Sequence, residues 1–257
     1  MTGARLLRGA VGAAGFIVAG ELVIRFVISD DLSFPPPSVI LAETVRLLAD
    51  PDFLAGLGTT LANWAVGLLV ATCLAVPLGV LLGSLPPVER AIRPVLEFMR
   101  PIPSVAIIPL AILLIPADGM MKVSVIVYAS VWPILINTLY GMHDVDPVAK
   151  ESLRSFGFGP LAVLARVSLP SAAPFVATGV RIAAGIALVL AVSAELIAGG
   201  AAGLGVFVVQ ASSGNRMDLM MAATVWAGLF GVVANLVLLA GERRLFQWHR
   251  MRTGARS

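Results

Sequence analysis

Residues 146–170 read DPVAKESLRSFGFGPLAVLARVSLP, a polar and partly basic segment between two apolar runs. Asp146 followed by Pro147 is a helix start: a side-chain acceptor for orphan N–H groups, then a ring that pre-sets φ. Gly157 is placed to end that helix in the left-handed conformation. Gly159-Pro160 then starts a second helix, which Leu169-Pro170 is expected to close. The result is a helix–glycine–helix elbow over 146–170, within a loop spanning 141–173. Such an elbow, set between long apolar runs on their basic side, is suited to docking another protein.

What surrounds the elbow decides the fold class. The chain has 257 residues, of which 58% are hydrophobic and only 13% charged, and its mean hydropathy is +0.95. A soluble domain keeps about 25% charged residues, so this chain is solvated mainly by lipid. The formal net charge of +3 does not point to nucleic acid, because no basic run is interleaved with aromatics. The single cysteine, Cys73, excludes an internal disulfide, and two separated histidines leave no zinc site.

Six apolar segments are read at 9–28, 59–84, 102–117, 122–140, 174–199 and 221–240. Most reach the ~20 residues needed to cross the hydrocarbon. The third is interrupted by Pro103, Pro109 and Pro116, and is expected to gain length from residues 97–101. The prediction is an all-α, polytopic membrane bundle of about six helices, forming one domain over 1–257. Arg5, Arg8, Arg90, Arg93, Arg100, Lys150, Arg154, Arg166, Arg243, Arg244, Arg250, Arg252 and Arg256 all fall on one side if the spans alternate. The other side has Arg46, Lys122 and Arg216 with the acids Asp30, Asp31, Glu43, Asp50, Asp52, Asp118 and Asp218. The positive-inside rule then makes both termini and the elbow cytoplasmic. The first span lacks a clean small-x-small cleavage site and reads as a retained span. After it, FPPPS leads into an amphipathic helix at 38–50, capped by Ser38 and lying on the outer membrane surface.

No GxxxxGK[ST] phosphate loop is present, so a pump built on this chain needs its ATPase on another polypeptide. Apolar Leu153 and Phe156, beside Arg154 and Ser155, would supply an anchor and a polar rim for such a contact. The spacing of Glu151, Gly157 and VSLP at 167–170 resembles the "EAA" loop of permease subunits in bacterial ATP-binding-cassette importers. The resemblance extends from FPPPSVILAE to ERRLFQWHR and is nearest the nitrate/sulfonate/taurine type. It is carried also by LGVLLGSLPPVERAIRPVLEFMRPIPSVAIIPL and TGVRIAAGIALVLAVSAELI. Ser152 and Leu153 stand where the motif name implies two alanines, and Val167 stands for the usual isoleucine.

What the resemblance implies is a MetI-like, type I importer permease that is itself non-catalytic. Asp146, Glu151, Leu153, Arg154, Ser155, Phe156, Gly157, Leu169 and Pro170 would be its ATPase-coupling residues. Its partners would be two ATPase subunits, a periplasmic or lipid-anchored substrate-binding protein and a second permease copy in a homodimer within the bacterial inner membrane. This chain would bind no cofactor, ATP and Mg2+ being used by the ATPase. The favoured cargo is a sulfonate, taurine, nitrate or similar organic anion. A pyrimidine or vitamin precursor, or an aromatic acid, is the alternative.

Polar residues inside the spans are the remaining candidates. Glu195 could contact another subunit, line the path, or sit capped by backbone groups. Arg181 lies on the same helix about 21 Å away, too far to pair with it, and reads as a cytoplasmic-end anchor, with a place on the path or between helices as the alternative. Glu21 and Arg25 share a face and can pair. Asn63, Asn137 and Asn235 read as interhelical glue, with a place on the path as the alternative for Asn63 and Asn137. Gly79 and Gly83 form a lone GxxxG, weak evidence for a dimer contact. An ion-coupled secondary transporter would be expected to show internal repeats, and a membrane enzyme a cluster such as HExxH; neither is found.

Overall fold

The computed structural model describes residues 3–28 and 34–246. Asp30, Asp31, Arg250, Arg252 and Arg256, read above, lie outside the described residues. Every regular element described is helical. The helices are α1 (Gly3–Val23), α2 (Pro37–Arg46), α3 (Pro51–Ser84), α4 (Pro86–Met99), α5 (Ile108–Leu114), α6 (Asp118–His143), α7 (Pro147–Ser155), α8 (Pro160–Val163), α9 (Leu169–Ala198), α10 (Leu204–Ser213) and α11 (Met217–Leu245). Five stretches are long and apolar enough to cross a membrane: Leu7–Phe26, Pro51–Ser84, Asp118–His143, Pro160–Ala198 and Met217–Leu245. A sixth crossing exists only if α4 and the segment Ser104–Leu114 count together, and these meet at 80°.

That bend corrects the reading of the third span as one run over 102–117 extended from residue 97. Pro101 and Pro103 each remove an N–H, and Pro103 is extended (φ −63°, ψ 114°), so α4 cannot continue. Pro109, in contrast, sits in the first turn of α5, where a missing N–H costs nothing. Seven residues of α5 reach only about 10 Å.

Contacts divide the chain into two compact units, residues 60–198 with 230–257 and residues 1–59 with 199–229. In the first, α6 is the central helix. Gly67, Gly79 and Gly83 of α3 meet Ile126, Thr138 and Met142 of α6, with the same offset in each pair, so the two helices run parallel. A Cβ on any of the three would come within 2.5–2.8 Å of an α6 side-chain carbon. Gly79 and Gly83 therefore seat α3 on this chain's own α6, a use that the lone GxxxG did not reveal. Against α9 the order reverses: Gly141 faces Ala172 and Phe175, while Gly179 faces Pro133, Ile134 and Asn137, so α6 and α9 are antiparallel. Ala183, Ala184, Ala187, Ala191 and Ala194 continue the close approach along α9. Small residues of this kind let membrane helices gain dispersion contacts that lipid cannot supply. Two apolar clusters result, one around Ile126, Ala129 and Ala191, the other around Ala75, Ile134 and Ala183.

Lys122 is wholly buried and donates from Nζ to Asp118 Oδ2 at 2.8 Å. It is thus a buried residue of α6, which starts at Asp118, four residues before the span read from 122.

The second unit contains α1, α2, α10 and the adjoining ends of α3 and α11. Phe53, fully buried, packs edge-on against Phe207 at 5.4 Å and against Trp226 at 6.2 Å. Trp226 Nε1 donates to the Thr44 carbonyl at 2.8 Å. Glu21 accepts from Arg25 Nε at 2.7 Å, as its spacing predicts. It also accepts from the N–H and hydroxyl of Ser38 at 2.9 and 2.8 Å. Ser38 is therefore not the cap of α2. Pro36 occupies that position, Pro37 is the first helical residue, and a carboxylate from α1 satisfies the orphan N–H of Ser38. Helix α2 ends at Arg46 and tightens into a 3-10 turn over Leu47–Ala49. Helix α10 was absent from the hydropathy reading because ten residues are too few to cross a bilayer.

Candidate functional site

Two prolines and a glycine build the elbow. Asp146 Oδ1 accepts from the Val148 N–H at 2.8 Å, and Pro147 opens α7. At the other end Gly157 adopts φ +82°. Its N–H donates to the Arg154 carbonyl at 2.9 Å, and the Phe158 N–H to the Leu153 carbonyl at 3.2 Å. This is the Schellman closure, and its left-handed residue favours glycine because a Cβ would crowd the next carbonyl. Nothing lies within 4 Å of the position a Gly157 Cβ would take. Any close backbone approach there must come from outside this chain.

The elbow presents an apolar face to solvent. Phe156 is 81% exposed, Leu161 80% and Val148 66%, whereas Leu153 is half-buried. Glu151, Arg154 and Ser155 are exposed beside them. Val148 and Leu161 were not selected from sequence, although an apolar residue in a polar loop is a signal that could have found them. Arg166 stacks its guanidinium 4.7 Å from the Phe158 ring centre, which ties the second leg of the elbow to the first.

Leu169 and Pro170 do not close the second leg, contrary to expectation. From Pro160 the chain passes through a π-helical turn at Leu164–Ser168 directly into α9. The wider turn accommodates the N–H that Pro170 lacks, as broken hydrogen bonding in membrane helices is commonly absorbed. The elbow is therefore continuous with a membrane-length helix on one side and separated from α6 by only the short Asp144–Asp146 link on the other.

The polar candidates within the spans do not gather with the elbow. Glu195, fully buried, accepts from the Thr60 hydroxyl at 2.8–2.9 Å, joining α9 to α3. Arg181 pairs through Nε with Glu242 Oε2 of α11 at 3.2 Å, and the Thr178 hydroxyl reaches the same carboxylate at 3.3 Å. Glu242 and Thr60 could not be selected from sequence, since each is defined by a partner more than 60 residues away. Asn137 donates from Nδ2 to the Pro133 carbonyl on its own helix at 2.8 Å, so its hydrogen bond is local and not interhelical. Asn63 is half-buried on α3. His143 meets Glu89 at 2.9 Å. Among the described residues no group of three His, Cys, Asp or Glu is placed to hold a metal.

Membrane-length helices and an exposed apolar elbow make an integral membrane protein with a surface open to a partner. Residues 75–249 match the family described as the binding-protein-dependent transport system inner membrane component. The chain belongs to that family: it is an inner-membrane permease of an ATP-binding-cassette importer. It is 30% identical to the taurine transport system permease protein of Escherichia coli, over 85% of this chain and 81% of that one. It is 27% identical to a nitrate import permease protein of Synechocystis, over 89% and 85%. The fold is that of a chain in a bacterial ABC transporter involved in import of the acidic polysaccharide alginate, with a TM-score of 0.65, 15% identity, and 94% and 98% of the two chains covered. Membership implies an ATPase and a substrate-binding partner.

Proposed function

We propose that this permease carries a small anion, with a sulfonate such as taurine, or nitrate, favoured, from a periplasmic or lipid-anchored binding protein into the cytoplasm. Two copies form the path and two ATPase subunits drive it, ATP and Mg2+ being handled by the ATPases alone. The elbow faces the cytoplasm with both termini. The observation that carries this reading is the exposure of apolar Val148, Phe156 and Leu161 along an elbow whose first helix is capped at both ends. That exposure has no use within the chain, and desolvation of these side chains in a cleft of an ATPase would supply the contact energy. Closure of the ATPase pair on ATP then moves the elbow, and with it α6 and α9, between two arrangements of the path.

The relatives named for taurine and nitrate support such a cargo. A tagged pull-down in mild detergent with a non-hydrolysable ATP analogue tests the assembly. An ATPase and a binding protein in the eluate are expected, and the binding protein can be screened for its anion. Gly157→Arg should abolish ATP-driven uptake at normal membrane abundance, because the long side chain fills the approach to the elbow and strains the left-handed turn. Wild-type uptake by that variant would refute the coupling role.

A further inference from the structure

The wall formed by the α4–α5 bend, the second half of α6 and the middle of α9 contains a hollow of about 430 Å³. That is within the range of small-molecule sites. Its polar groups come from Arg100 and Ser104 at the bend and from Trp132, Asn137 and Tyr140 on α6. Ala129, Ile136, Ile182 and Ile186 form an apolar background. No carboxylate lines it.

The charges nearby leave Arg100 over. Glu97 is taken by Arg93 Nε at 2.9 Å, and Glu89 by His143 at 2.9 Å. Among the described residues the Arg100 guanidinium meets no acid, and its side chain is exposed where the surroundings are membrane-length helices. An arginine left without an acid beside membrane-length helices is available to a path or a partner. The donors converge with it. Trp132 Nε1 is buried and has no acceptor among the described residues, which costs stability unless something supplies one. Asn137 spends one N–H on the Pro133 carbonyl and keeps another, and the hydroxyls of Ser104 and Tyr140 can both donate. The hollow therefore offers one full positive charge and several donors on an apolar background, and the acids of the adjoining hollow, Glu89 and Glu97, are paired with His143 and Arg93.

We propose that this hollow is an anion site on the transport path, with Arg100 as the charge-recognising residue and Trp132, Asn137 and Tyr140 as flanking donors. Its ligand is a compact sulfonate, carboxylate or nitrate-like oxyanion, held by charge-assisted hydrogen bonds to a guanidinium that matches two oxygens at once. The prolines at 101 and 103 serve this site: by breaking the helix they bring a residue of the α4 end to the middle of α6. The site rests on the reading of the chain as an anion importer and adds the residues that select for charge.

The test uses the complete transporter, permease with its ATPase and binding protein, in proteoliposomes. Labelled taurine and nitrate are supplied as probes beside a neutral sugar, and ATPase activity stimulated by the loaded binding protein is read in parallel. Arg100→Gln is expected to lower uptake of the transported anion about tenfold or more, the loss of one charge-assisted contact. Stimulated ATPase activity should stay near wild type, and Arg100→Lys should recover part of the uptake. Uptake by Arg100→Gln at the wild-type rate overturns the site while leaving the importer reading intact. Equal loss of uptake and of stimulated ATPase activity in both variants also overturns it, since that marks a structural or coupling role. Wild-type transport of the sugar, or of neither anion, refutes the anion reading itself and the site with it.

Discussion

Gly79→Ala should destabilise the permease although alanine is the better helix former by about 1 kcal/mol. The added Cβ would lie 2.7 Å from Thr138 Cβ, 2.8 Å from its Cγ2 and 3.3 Å from the Leu135 carbonyl oxygen. Thr138 cannot yield. Its Cβ moves only with the backbone, and its hydroxyl is held to the Ile134 carbonyl at 2.7 Å. Restoring ordinary contact requires α3 and α6 to separate by more than half an ångström, and overpacking of this kind costs about 1–3 kcal/mol. Gly67→Ala meets Ile126 Cγ2 at 2.5 Å and should cost a similar amount. The two sites lie ~18 Å apart along α3, where independent effects would add. Both, however, demand the same displacement of one rigid helix, so the double variant should cost less than the sum. Gly58→Ala is the control on the same helix, because nothing lies within 4 Å of its Cβ. Thermal unfolding in detergent, followed by tryptophan fluorescence, reads all four proteins. A Gly79→Ala melt at or above wild type, or identical shifts for Gly58→Ala and Gly79→Ala, would refute the parallel glycine seat.

Thr60→Val should lower thermal stability by about 1–3 kcal/mol, because it removes a hydroxyl from a carboxylate that the bundle buries; an unchanged melt would show that the Thr60–Glu195 bond contributes nothing. Single cysteines at Ser155 and Ser213, both exposed in the wild type and placed in a Cys73→Ala background, should label from opposite sides of the membrane. Labelling of both by an impermeant reagent applied outside would overturn the orientation drawn from the arginine distribution.

The elbow was legible because its determinants are local. Asp146-Pro147 and Gly157 act through bonds to residues two to five positions away, and such chemistry is written in consecutive letters. The membrane-length helices were legible from apolar run length for the same reason. What escaped depends on register between distant segments. Whether Gly79 faces lipid, a second copy or Thr138 cannot be read from GVLLG alone. The 80° bend was half visible: the prolines announced an interruption, but Pro109 proved harmless at a helix start while Pro101 and Pro103 broke the chain. Arg100 looked like one more basic residue in a connection. Only the bend, which turns it toward Asn137 and Tyr140, separates it from Arg90 and Arg93. Pro170 misled in the other direction, since a π turn absorbs the defect that the letter implies.

The glycine seat between α3 and α6 also has a mechanical meaning. Three side chains of α6 press into three gaps of α3 at one fixed offset, so the pair resists sliding by anything short of a full helical turn. With α9 packed on α6 through Gly141 and Gly179 and bonded to α3 through Thr60 and Trp64, the three helices brace one another. Any movement imposed at the elbow would reach this unit through two of its helices at once, α6 and α9. Little of it can be lost to internal slippage, and the compliance of this unit is left to the places where regular structure fails, foremost the proline break at 100–103.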